Sequence, residues 1–89
     1  MEELELIEKL KNGEAESFRL VVEKYQKLVL NCAYKFLRNR ESAEDITQEV
    51  FIEVFESIRS FKEQSQLSTW IYRIAVTKSL NTAKKQILN

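Results

Sequence analysis

The chain is 89 residues long, the size of one domain, and must draw its stability from a single small core. Its 44% hydrophobic and 31% charged residues suit a globular protein, while one cysteine and no histidine leave no disulfide framework, no metal-ligand cluster and no base for nucleophilic catalysis. The formal charge is zero, yet residues 1–57 hold 8 Lys/Arg against 13 Asp/Glu and residues 58–89 hold 6 against 1.

A basic half in a neutral chain hints at a polyanion-facing end; chance segregation over a solvated surface is the other reading. One glycine and no proline leave long helices uninterrupted, so the expected fold class is all-α. It should be one compact bundle of about four helices, a short N-terminal helix and three longer ones. The first helix, within residues 1–13, carries Leu4, Ile7 and Leu10 on one stripe and stops near Asn12 and Gly13. The second, near 15–38, has Phe18, Val21, Val22, Tyr25, Leu28, Val29, Cys32, Ala33, Phe36 and Leu37 at three- and four-residue steps. These are assigned to packing, with Cys32 as a buried structural thiol.

After a polar turn over 38–41, Ser42 is the expected N-cap of a third helix, with Glu44 and Asp45 in the first turn, where the helix dipole favours anions. That helix runs to about Ile58, closing a block of core helices over 14–58. Residues 60–67 lack a helical period and read as a loop. Ser68 or Thr69 caps a last helix that continues to about Gln86, so residues 59–89 form a loop-plus-helix unit. The Glu-rich first residues do not fit a signal peptide, and no apolar run reaches the ~20 residues a bilayer requires. The expected location is the cytoplasm.

Two helices have outward faces that packing does not explain. On the third, Ala43, Ile46, Val50, Phe51, Val54 and Ile58 share the buried side, and Asp45, Gln48, Glu49, Ile52 and Glu56 share the other. An aliphatic residue ringed by acids and an amide suits a basic helical partner, although acidic faces are often only solvated. On the last helix, Ile71, Tyr72, Ala75, Val76, Leu80 and Ala83 can face the core. Trp70, Ile74, Thr77, Lys78, Asn81, Lys84 and Lys85 take the opposite half, with Arg73 at the border.

That half suits unpaired nucleic acid. Trp70 offers a stacking plane, Thr77 and Asn81 can bond base edges, and Arg73, Lys78, Lys84 and Lys85 can neutralise phosphates. Phe61, Lys62, Gln64 and Ser65 of the preceding loop could cradle an extruded base. The structural alternatives are that Trp70 closes the bundle over the loop and that Lys84 and Lys85 complement the helix C-terminus.

The strings Ala43-Glu44-Asp45-Ile46-Thr47-Gln48-Glu49-Val50-Phe51 and Ser68-Thr69-Trp70-Ile71-Tyr72-Arg73-Ile74-Ala75, with Ala15-Glu16-Ser17-Phe18, Tyr25 and Phe61-Lys62, resemble region two of bacterial sigma factors. The resemblance is to the extracytoplasmic-function group and covers about residues 14–86. It implies that Asp45, Gln48, Glu49 and Ile52 bind the clamp helices of the RNA polymerase β′ subunit. It also implies that the loop and last helix recognise the promoter minus-ten element, the loop capturing a flipped base of the non-template strand. No chemistry and no cofactor are implied, and an anti-sigma factor is a further partner the resemblance allows. The family's helix-turn-helix domain for the minus-thirty-five element is expected to be absent, the chain being part of a longer protein.

Many relatives carry glycine at the position of Glu63 and an acid at that of Gln64. Thr77 and Asn81 stand where Asn and Asp are frequent, and Lys84 where arginine is. Two other readings compete: a helical interaction module without DNA affinity, and a polymerase-independent single-strand binder.

Overall fold

A computed structural model of the protein describes residues 2–88, with side chains through Ile87. The expected all-α bundle forms, with α1 at Glu3–Lys11, α2 at Ala15–Leu37, α3 at Arg40–Ser57 and α4 at Leu67–Leu88. A 3-10 turn at Ile58–Ser60 extends α3. Helices α2, α3 and α4 pack on one another, and α1 lies across α2 and the 3-10 turn.

Local chemistry sets the helix ends. Gly13 at φ +75° stops α1: its N–H bonds the Leu10 carbonyl and the Glu14 N–H bonds that of Lys9, a Schellman pair that uses orphaned carbonyls. Arg38 closes α2 in the left-handed conformation, its N–H on the Tyr34 carbonyl at 2.8 Å. Asn39 then caps α3, its Oδ1 accepting the Ser42 N–H at 2.8 Å. Ser42 therefore lies inside the helix, and α3 begins two residues before the expected cap because the asparagine takes that role first.

The expected buried side of α3 is buried throughout, from Ala43 to Ile58. Other stripes are rotated. On α1, Leu6 joins Ile7 and Leu10 in the core while Leu4 stays 62% exposed, because α1 is covered on one side only. On α2, Val21, Tyr25, Val29, Cys32, Ala33 and Leu37 are buried, Phe18 and Val22 partly, but Leu28 and Phe36 lie exposed at the edge of the stripe. On α4 the core line is Leu67, Ile71, Ile74, Ala75 and Ser79. The small side chains of Ala75 and Ser79 face the core, Tyr72 and Leu80 turn outward, and Ile74 turns inward, against expectation. Each large aliphatic side chain buried here contributes roughly 1.5–3 kcal/mol.

Cys32 is buried as expected. Burial pushes its thiol up, opposed by a hydrogen bond with Tyr72 and the charge of Lys35. Among the described residues no helix is long and apolar enough to cross a membrane, and no cluster of His, Cys, Asp or Glu could hold a metal ion.

Candidate nucleic-acid interface and docking face

The six residues 61–66 that lead from the 3-10 turn into α4 are held at both ends by the core, Phe61 and Leu67 being buried. Between them Glu63 takes φ +59°, a left-handed conformation that glycine adopts at less cost. The kink this produces folds the loop back over the start of α4. Ser60, Phe61, Lys62, Gln64, Ser65, Trp70 and Arg73 then enclose an open cavity of about 200 Å³. Its lining combines an aromatic ring, hydroxyls, an amide and two cations, groups that can meet a base by face and by edge with a phosphate beside it.

Six of the expected nucleic-acid residues therefore converge: Phe61, Lys62, Gln64, Ser65, Trp70 and Arg73. Phe61 has a different part from the one expected. Its ring is 4% exposed and packs against Trp70 with centroids 5.0 Å apart, so it forms the floor that holds the indole rather than a surface for a base. The half-buried Trp70 packs on Phe61 and also lines the cavity. Beyond the cavity, Thr77, Asn81, Lys84 and Lys85 are exposed, continuing from Arg73 at helical spacing along roughly 18 Å of α4. Lys78 leaves that line: its Nζ lies 3.1 Å from Glu53 Oε1 on α3. Among the described residues no ion pair engages Lys62, Arg73, Lys84 or Lys85.

The second face lies along α3. Val22, Gln26 and Leu30 of α2 and Arg40, Glu44, Thr47, Gln48, Phe51, Ile52 and Phe55 of α3 line a groove of about 410 Å³. Its floor is mostly apolar, with Phe55 stacked near Phe18 at 4.6 Å. Gln48 and the 56% exposed Ile52 rise from the groove's edge. Asp45, Glu49 and Glu56 are exposed and follow Ile52 around the helix as an acidic ridge, between the groove and the Glu53–Lys78 pair. All five expected docking residues thus stand on one continuous surface.

Sequence reasoning missed the α2 wall of this groove and Ser60 in the cavity. Val22, Gln26 and Leu30 recur at four-residue steps, a second line beside the main stripe that was legible but masked by the stronger period. Ser60 had no comparable signal.

A bundle with an aromatic-lined loop cavity on one side and an acidic ridge on another matches the Sigma-70 region 2 family over residues 21–87, and the chain belongs to that family. Its sequence is similar to those of extracytoplasmic-function (ECF) sigma factors. It is 38% identical to the ECF RNA polymerase sigma-E factor of Haemophilus influenzae over 92% of this chain and 41% of that protein. It is 35% identical to the ECF RNA polymerase sigma factor SigW of Bacillus subtilis, covering 90% and 43%, and 34% identical to the RNA polymerase sigma-H factor of Pseudomonas aeruginosa, covering 94% and 42%. The chain therefore spans about two-fifths of the length of these relatives. Among solved structures it is similar to an engineered region 2 of sigmaE in complex with GTAAAA, with a TM-score of 0.86 and 30% identity over 97% of this chain and 90% of that one.

Proposed function

We propose that this domain docks on the β′ clamp helices of RNA polymerase through α3 and recognises the promoter minus-ten element through the loop and α4, holding a non-template base in the cavity beside Trp70. The observation that carries the reading is the convergence of Trp70, Lys62, Gln64, Ser65 and Arg73 on one base-sized cavity next to an exposed Thr77–Asn81–Lys84–Lys85 line. The similar sigmaE region 2 in complex with GTAAAA supports it. Opening a duplex costs a few kcal/mol in lost pairing and stacking. Stacking on Trp70, worth about 1–3 kcal/mol per base, together with phosphate contacts along α4, offsets that cost. The domain itself makes and breaks no covalent bond on this reading, and it acts in the cytoplasm, where polymerase and promoter meet.

The test is fluorescence anisotropy of the 89-residue chain against two probes, a β′ clamp-helix peptide and single-stranded minus-ten oligonucleotides, across a salt series. Gln48→Ala with Ile52→Ala should weaken only the peptide, and Trp70→Ala with Arg73→Ala only the oligonucleotides. Peptide binding without any oligonucleotide binding would leave an interaction module. Salt-sensitive oligonucleotide binding with no base preference would leave a sequence-tolerant strand binder.

A further inference from the structure

No residue of α1 lines the cavity or the groove, yet α1 reaches both ends of the loop that forms the cavity. Lys11 Nζ donates to the Phe61 carbonyl at 3.0 Å, fifty positions along the chain. At the other end the Leu67 N–H makes a long hydrogen bond of 3.5 Å to Glu3 Oε2. Phe61 is further fixed by its buried ring and by its N–H on the Ile58 carbonyl at 3.1 Å. Residues 62–66 are thus slung between two buried residues, each held by α1, and most of what lies between is exposed.

The Lys11 bond is the more consequential of the two. It fixes the orientation of the peptide between Phe61 and Lys62, from which the loop's direction follows. Two residues on, Glu63 is already in a conformation that costs an L-residue energy, so the loop has alternatives to fall into once that peptide is free to turn. The ring of Phe61 and the side chain of Leu67 stay buried without α1's polar ties. Losing a tie should therefore broaden the loop's conformers more than it loosens the core.

We propose that α1 positions the loop for nucleobase capture, with Lys11 and Glu3 as positioning residues that set the shape of the cavity without touching the nucleic acid. The inference rests on the base-capture reading above. A site that must fit one base depends on such supports, because a slack loop lowers the occupancy of the fitting shape before any contact is lost.

The experiment uses the whole 89-residue chain and fluorescein-labelled deoxy-GTAAAA, with six counterparts that each carry one abasic position. The ratio of abasic to intact Kd locates the captured base and measures its reading. In Lys11→Met that ratio should fall about fivefold, the scale of one lost hydrogen bond. Affinity for the abasic probe, the salt slope and the melting temperature should stay near wild type, and Lys11→Arg should restore the ratio. Glu3→Leu, which cuts the other tie, should move the ratio in the same direction.

Parallel weakening of all seven probes with a shallower salt slope would make Lys11 a phosphate ligand and overturn the proposal. So would an unchanged ratio in both variants, or a ratio that falls only in step with melting temperature. A wild-type chain that does not distinguish any abasic probe would sink the base-capture reading itself, before any variant is made.

Discussion

The ion pair between Lys78 on α4 and Glu53 on α3 makes a quantitative prediction about nucleic-acid affinity. Lys78 is one of the α4 cations expected to meet phosphate, but its Nζ is 3.1 Å from the Glu53 carboxylate on α3. At that distance two unit charges attract by about 1.3 kcal/mol in bulk water. Their side chains are 27% and 43% exposed, so screening and the entropy of holding both chains reduce the net value to about 0.5 kcal/mol. A phosphate that recruits Lys78 must displace Glu53 and also approach its negative charge. Glu53→Gln removes both penalties, and single-strand Kd should tighten roughly two- to fivefold at low salt. The slope of log K against log salt should steepen by up to about 0.7, the value for one more phosphate neutralised on a single strand. Lys78→Gln should weaken binding instead. Anisotropy titrations from low to physiological salt read both quantities. Unchanged affinity and slope in Glu53→Gln would refute the reasoning, because Lys78 would then not meet a phosphate at all.

Three further outcomes test the fold around the interface. Ser79 is fully buried and its Oγ has no hydrogen-bond partner among the described residues, so Ser79→Ala should stabilise by about 1 kcal/mol and raise the melting temperature by about 4–8 °C; a loss of stability would mean that the hydroxyl does find a partner. At Glu63, with φ +59°, Glu63→Gly should hold or slightly raise stability in urea titration, whereas the β-branched Glu63→Val should cost about 1–2 kcal/mol relative to it; equal stabilities would show that the loop does not need the left-handed turn. Cys32 is buried with its thiol pushed up by burial, so a disulfide reagent should label it slowly at neutral pH and fully in denaturant; rapid labelling of the folded chain would place it at the surface.

The buried and outward sides of α3 could be read directly from the sequence, because large apolar residues at strict helical spacing leave one way for the helix to sit. The same reasoning failed on α4, where the apolar residues spread around the wheel. There size decided instead of hydrophobicity: Ala75 and Ser79 line the core contact, which carries Ile74 inward and pushes Tyr72 and Leu80 to the edge. The loop was legible as a loop from its lack of period, but its shape was not. That shape includes Glu63 in the left-handed region and hydrogen bonds from Lys11 to the Phe61 carbonyl and from the Leu67 N–H to Glu3, partners too remote in sequence for any local pattern to register. Lys78 shows the same limit for charge. It was expected on the outward half of α4, whereas it is half-buried and paired with Glu53 on α3, a contact that requires two helices to be packed first.

A zero formal charge is compatible with the nucleic-acid partner proposed above, because the charges are unevenly placed. Asp45, Glu49 and Glu56 line the α3 ridge, and among the described residues cations without ion pairs lie at the loop and along α4. A polyanion approaching such a domain gains little from the net field but is turned toward one face and repelled from the other. Strong net positive charge would have added affinity for every phosphate backbone alike, including the vast excess of duplex that carries no promoter. On the proposed function, with few unpaired cations beside the cavity among the described residues, discrimination falls to the base that enters it. The acidic ridge, turned away from the strand, stays available to a basic helix. On the proposed function, neutrality favours orientation and selectivity over raw affinity, because such a domain would hold two unlike partners at once.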